Sequence, residues 1–106
     1  AFKKWRLFCV VSVCYILHSP SLDKYYIGFT QELLSSRLER HNSGFYGSSK
    51  YTVIASDWEI YLAFSCSSVS QGLAVERHIK RMKSRRYIEN LKAYPEMRKK
   101  LLELYE

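Results

Sequence analysis

Apolar and polar positions change rhythm several times along the chain, and each change marks an element. Residues 7–17, LFCVVSVCYIL, are almost continuously apolar, which fits a long strand buried on both faces. SPSLD then supplies turn chemistry, and KYYIGFT resumes as a second strand. The period becomes helical in QELLSSRLERHN, with Leu33, Leu34 and Leu38 at helical spacing and an end at Asn42, close before Gly44. SGFYGSSK reads as a loop. DWEIYLAFSC drops to period two, so Trp58, Ile60, Leu62 and Phe64 are expected on one face of a third strand. SVSQGLAVERHIKRMK is a second helix capped by a serine, with Val75, Ile79 and Met82 as its apolar stripe. Ser84 restarts a third helix through RRYIENLKA, and Pro95 suits the first turn of a last one. The order predicts one α/β domain over residues 1–106, without repeat or linker; residues 1–7 are set aside as an appended or processing remnant.

Composition narrows this picture. A chain of 106 residues holds one modest core, since two halves would each bury too little apolar surface. Seventeen Lys and Arg against ten Asp and Glu leave +7, so a polyanion such as nucleic acid is an expected partner, although a basic protein with no anionic partner has the same composition. Cys9, Cys14 and Cys66 are odd in number and lack metal-ligand spacing, and Cys9 and Cys14 on one strand would face opposite ways. Neither a disulfide framework nor a zinc site is expected, and the setting they suggest is reducing and cytoplasmic. The apolar run at 7–17 is too short to cross a bilayer, and no membrane role is expected.

Candidate chemistry gathers on the hairpin. A four-residue loop, Ser19 to Leu22, would pair Tyr15 with Tyr26 and Leu17 with Lys24, putting Tyr15, Leu17, Lys24, Tyr26 and Gly28 on one face and Cys14, Ile16, Tyr25 and Ile27 on the other. The first set makes a cradle for a polar ligand, or an ordinary aromatic pair that stabilises a hairpin. Arg37 and His41 are four apart and share a helix face, with Leu33 one turn earlier to tether it near the sheet; a solvated face would look the same. Glu76 lies at the edge of its helix stripe, where a salt bridge to Lys80 is the plain alternative.

CYIL followed by YYIG, then RLERHNSG, then AVERHIKRMKSRRYIENL, closely resembles the GIY-YIG nuclease superfamily over about residues 10–93, in the manner of small single-domain bacterial members related to the nuclease domain of the excision-repair machinery. The resemblance implies a small three-stranded antiparallel sheet flanked by helices. It also implies metal-dependent phosphodiester hydrolysis at a site on the sheet. By position, Tyr15 and Tyr26 are the two motif tyrosines, Arg37 the helical arginine, His41 the histidine one turn on and Glu76 the metal-binding glutamate. The first motif reads CYI rather than Gly-Ile-Tyr but keeps its tyrosine. Asn90 does not convincingly match the asparagine that many members carry after the glutamate.

Such a site would hold one Mg²⁺ or Mn²⁺ on Glu76, with Arg37 on the phosphate, Tyr26 positioning water or phosphate, and Lys24 or His41 helping Tyr15 act as a base. RHIKRMKSRR, residues 77–86, places six Lys and Arg in ten positions. Arg77, Lys80, Arg81, Lys83, Arg85 and Arg86, with Lys24 and Lys50, are the candidate DNA contacts, and a highly charged solvated helix is the alternative. No recognition helix is visible, so DNA would be read through backbone or shape. The expected function is a metal-dependent DNA endonuclease with a role in repair or processing. The alternatives are a non-catalytic nucleic-acid binder that keeps the fold, and an accessory module docking a protein partner in a repair complex. The oligomeric state is not legible.

Overall fold

The computed structural model describes residues 12–43 and 55–106. The set-aside N-terminus, Cys9, the start of the first strand, the SGFYGSSK loop and Lys50 lie outside the described residues. The described elements follow in the order β1 (Ser12–Ser19), β2 (Lys24–Thr30), α1 (Leu34–Ser43), β3 (Glu59–Cys66), α2 (Val69–Met82), α3 (Arg85–Ala93) and α4 (Pro95–Leu104).

The strands form one antiparallel sheet in the order β2-β1-β3. β1 is central, which is why its sequence runs apolar without alternation: Cys14, Tyr15, Ile16 and Leu17 all have no exposed surface. Successive side chains go to opposite layers. Cys14 and Ile16 join Val75 and Ile79 of α2, Ile88 and Leu91 of α3 and Leu101 of α4. Tyr15 and Leu17 pack instead with Trp58, and with Leu34 and Leu38 of α1. Among the described residues, three helices thus lie under one face of the sheet and one helix over the other.

The helix boundaries follow local chemistry. Ser68 caps α2 by accepting from the Gln71 N–H, Ser84 caps α3 through the Tyr87 N–H, and Pro95 occupies the first turn of α4. At its far end, α4 is tied back by the Tyr105 phenol, whose oxygen lies 2.9 Å from His78 Nδ1 and accepts from Arg81. Met82, expected in the α2 stripe, is 45% exposed, because the stripe ends one turn earlier at Ile79. None of the described helices is long and apolar enough to cross a membrane.

Two expectations about the sheet need correction. The turn takes residues 20–23 rather than Ser19 to Leu22, and Tyr15 therefore faces Gly28 while Tyr26 faces Leu17. Ser19 stays in the strand because its hydroxyl donates to Asp57 at 2.6 Å. Asp23 closes the turn, with a left-handed φ of 53° and its N–H on the Ser19 carbonyl. The slip is two residues, an even number, so the two faces keep their members. The second correction concerns β3, where a register shift between Ile16 and Leu17 inserts an extra residue opposite β1. Past that bulge the alternation reverses. Leu62 and Phe64 pack on the three-helix side, whereas Trp58 is buried on the α1 side.

Candidate active site

On the α1 face the structure brings together four residues from three elements, Tyr15 of β1, Tyr26 of β2, and Arg37 and His41 of α1. The Tyr15 phenol oxygen lies 3.0 Å from His41 Nε2 and accepts from an Arg37 terminal nitrogen at 3.4 Å. Tyr15 donates to Nε2 when His41 carries its proton on Nδ1, and accepts from it in the other tautomer. Tyr26 completes the group, with its ring centroid 4.8 Å from that of His41 and 6.4 Å from that of Tyr15. Tyr15 and His41 are buried; Tyr26 and Arg37 are half-buried and form the accessible side.

Gly28 makes this arrangement possible. A Cβ there would meet the Tyr15 ring and its hydroxyl well inside contact distance, so the phenol occupies the space that any other residue would fill. The tether for α1 differs from the expected one. Leu33 is 75% exposed, and Leu34 and Leu38 make the packing instead, because the helix starts at Leu34 and Leu33 stays outside it.

Sequence reasoning missed two supports. Glu32 binds Arg40 at 2.8 Å and stands 3.7 Å from an Arg37 terminal nitrogen, within ion-pair reach of both. It precedes the helix, so helical spacing rules give no sign of the pairing. Asn42 makes two bonds to the backbone of Trp58, accepting from its N–H at 2.6 Å and donating to its carbonyl at 3.0 Å. This clamp ties the end of α1, and with it His41, to the start of β3. Asn42→Ala removes both of these bonds to a buried residue and is expected to cost about 1–3 kcal/mol. Denaturation should show a lower midpoint at unchanged slope; an unchanged midpoint would refute the clamp.

Glu76 and the remaining cations lie elsewhere. Glu76 is on α2, in the layer beneath the sheet, with Lys80 at 2.9 Å. It neighbours Cys14, whose thiol is pushed far up by burial first, and further by Cys66 and Glu76. Lys24 stands opposite Ser19, four residues from Gly28, or about 13 Å along the strand. This corrects the expected pairing with Leu17 and leaves His41 as the group beside Tyr15. Of the basic segment, Lys80 is held by Glu76, Arg81 bonds Tyr105, and Arg85 is fixed on Asp23. Arg77, Lys83 and Arg86 are exposed and have no acidic partner among the described residues. Asn90 serves its helix end, its carbonyl accepting from the Tyr94 N–H.

An α/β domain that sets a phenol, an imidazole and a guanidinium around one point of a small sheet is equipped to handle an anionic substrate and move a proton. A family model, the GIY-YIG catalytic domain, matches residues 11–90. The chain belongs to that family of nuclease domains. No curated protein and no solved structure matches it.

Proposed function

We propose that the chain is a metal-dependent endonuclease that hydrolyses DNA phosphodiester bonds, with Tyr15, Tyr26, Arg37 and His41 as the cluster that acts on the phosphate and Glu76, carried by α2, as the residue that would hold the metal. The convergence of Arg37 and His41 on one phenol oxygen supports this reading above all. A phenol has an ordinary pKa of about 10 and is a poor base at neutral pH. In the tautomer with Nε2 unprotonated, the pairing with His41 removes that difficulty: as the Tyr15 oxygen takes a proton from the attacking water, its own hydrogen passes to Nε2. The phenol is neutral before and after, and the charge ends on the imidazole. Arg37 offers donors to the phosphate oxygens, and Tyr26 orients the water or phosphate. Because Tyr15 has no exposed surface, substrate binding has to open its cover.

Glu76 is the residue that would hold a cation. Among the described residues no group of three or more His, Cys, Asp or Glu could share one. A single carboxylate suits Mg²⁺ or Mn²⁺, hard ions that keep most of their waters, and such an ion supplies charge neutralisation at the phosphate when bound. Arg77, Lys83 and Arg86, exposed on the helical side, are the DNA contacts this reading favours, and DNA repair or processing is the role proposed with it. A non-catalytic binder of the same fold is the second reading, and the Glu76–Lys80 ion pair is what favours it.

Incubation with single-stranded, duplex, flap and branched DNA, with and without Mg²⁺ or Mn²⁺, separates the two. Metal-dependent cleavage of at least one substrate is expected, together with binding that weakens steeply with salt. Binding without cleavage on every substrate would leave the non-catalytic reading.

A further inference from the structure

The tyrosine cluster and Glu76 are mounted on opposite sides of the sheet, and the surface between them is apolar. Tyr26 and Gly28 of β2 face the α1 side, where Tyr15, Arg37 and His41 meet. Phe29, the next residue, points the other way. Its partner across the ladder is Cys14 of the three-helix core, and its ring lies on Gly72 of α2, where an added Cβ would strike it. Glu76 is one turn on from Gly72 and therefore stands on the same flank of α2. The Cys14 thiol, opposite Phe29, also feels the Glu76 charge. Among the described residues β2 is an outer strand of the sheet, so Phe29 and Tyr26 sit on two sides of one edge.

Around Phe29 the surface stays apolar, although the chain as a whole carries +7. Phe29 is half-buried, and Val69 and Leu73 are 36% and 38% exposed. The buried side of α2 consists of Gln71, Gly72, Val75 and Ile79, so the core does not call for Val69 or Leu73. Val69 is one turn before Gly72, and Leu73 is four residues beyond Val69 and three before Glu76. At these spacings both stand on the outward flank beside the carboxylate. A patch of this kind offers nothing to a phosphate. It suits the flat, apolar face of a base.

We propose that Phe29, flanked by Val69 and Leu73, holds an unpaired base of the DNA strand whose scissile phosphate lies between the tyrosine cluster and Glu76. A phosphate served from both sides of the sheet requires its strand to pass round β2. A duplex resists such a turn, with a persistence length of about 50 nm, whereas a single strand bends freely. Its bases are also free to stack on a side chain without first being unpaired. Arg77, one turn beyond Leu73 and exposed, is placed for a neighbouring phosphate of the same strand. The substrate class that follows is DNA unpaired at the point of cleavage, as in a single strand, a flap or a branch, rather than continuous duplex. The proposal rests on the nuclease reading above and adds to it the residues that select the strand.

The test measures affinity, without divalent metal and in the full chain, for three probes of one length: a mixed-sequence single strand, its blunt duplex, and an abasic strand that has the phosphates and no bases. Phe29→Leu keeps an apolar side chain on Gly72 and removes the ring. It should weaken binding of the single strand about 5-fold or more, and of the duplex and the abasic strand by less than about 2-fold. Equal losses on all three probes would mean that Phe29 only supports the fold, and would overturn the proposal, as would no loss on any. Leu73→Gln, on the exposed flank, should repeat the pattern at smaller amplitude, and it decides the matter if Phe29→Leu does not fold. With Mg²⁺ or Mn²⁺ present, Phe29→Leu should raise KM for the single strand and keep kcat, because a base held alike in ground and transition state contributes uniform binding. A fall in kcat at unchanged KM would give Phe29 a different role and overturn the proposal. A wild-type chain that binds none of the probes would overturn the nuclease reading together with the base contact. A wild-type chain that binds and cuts, with both variants unchanged, overturns the base contact alone.

Discussion

Glu76→Gln is expected to bind DNA at wild-type strength or slightly better and to cut it orders of magnitude more slowly. The amide keeps the shape of the side chain and removes the charge that would hold a divalent ion, so the loss falls on the metal-dependent step. Binding measured without metal should not suffer, since a negative charge near the phosphates is gone. The ion pair with Lys80 gives the competing outcome. If that pair were the whole role of Glu76, the substitution would cost about 1 kcal/mol of stability or less, as an i,i+4 bridge with an exposed lysine does, and leave the cleavage rate unchanged. Cleavage rate and metal-free affinity, measured on one preparation, separate the two. A Glu76→Gln protein that cuts at the wild-type rate removes Glu76 from the reaction centre.

Gly28→Ala should have the second large effect. The added Cβ falls on the Tyr15 ring and hydroxyl, and the ring cannot retreat because it is wholly buried against Leu17 and Trp58. Overpacking of this kind costs about 1–3 kcal/mol. Whatever movement relieves it also pulls the phenol oxygen from His41 and Arg37, so the folded fraction should lose cleavage as well as stability. Gly72→Ala is the informative comparison. Its Cβ would meet the Phe29 ring, in the layer beneath the sheet, and the clash there is of the same kind. It should lower the melting temperature while the folded protein keeps its activity. Equal activity per folded molecule in the two variants would show that Gly28 does not position Tyr15.

Much of this was legible because local chemistry decided it. The Ser68 and Ser84 caps, Pro95 at a helix start, and the bounds of β2 all rest on one or two residues and need no tertiary information. What escaped depends on partners distant in sequence. The hairpin register turned on whether Ser19 belonged to strand or turn, and Asp57, thirty-eight residues away, settles it. The place of Trp58 turned on a bulge that period-two counting cannot register. Arg37, His41 and the tyrosines could be named from motif spacing. Glu32 behind Arg37, and Asn42 on the Trp58 backbone, required the fold.

The burial of Tyr15 carries an evolutionary consequence. A phenol that fills the space above a glycine and packs against a tryptophan would be retained by selection for folding even in a descendant that had stopped cutting DNA. Glu76 is under no such second constraint: its described partner is one exposed lysine, and a glutamine there would disturb little besides the chemistry. Loss of function along this lineage should therefore erase the carboxylate first and leave the tyrosines as a relic. If Glu76 holds the metal as proposed, the residue at position 76 should be a better marker of a working nuclease among similar chains than the buried tyrosine at position 15.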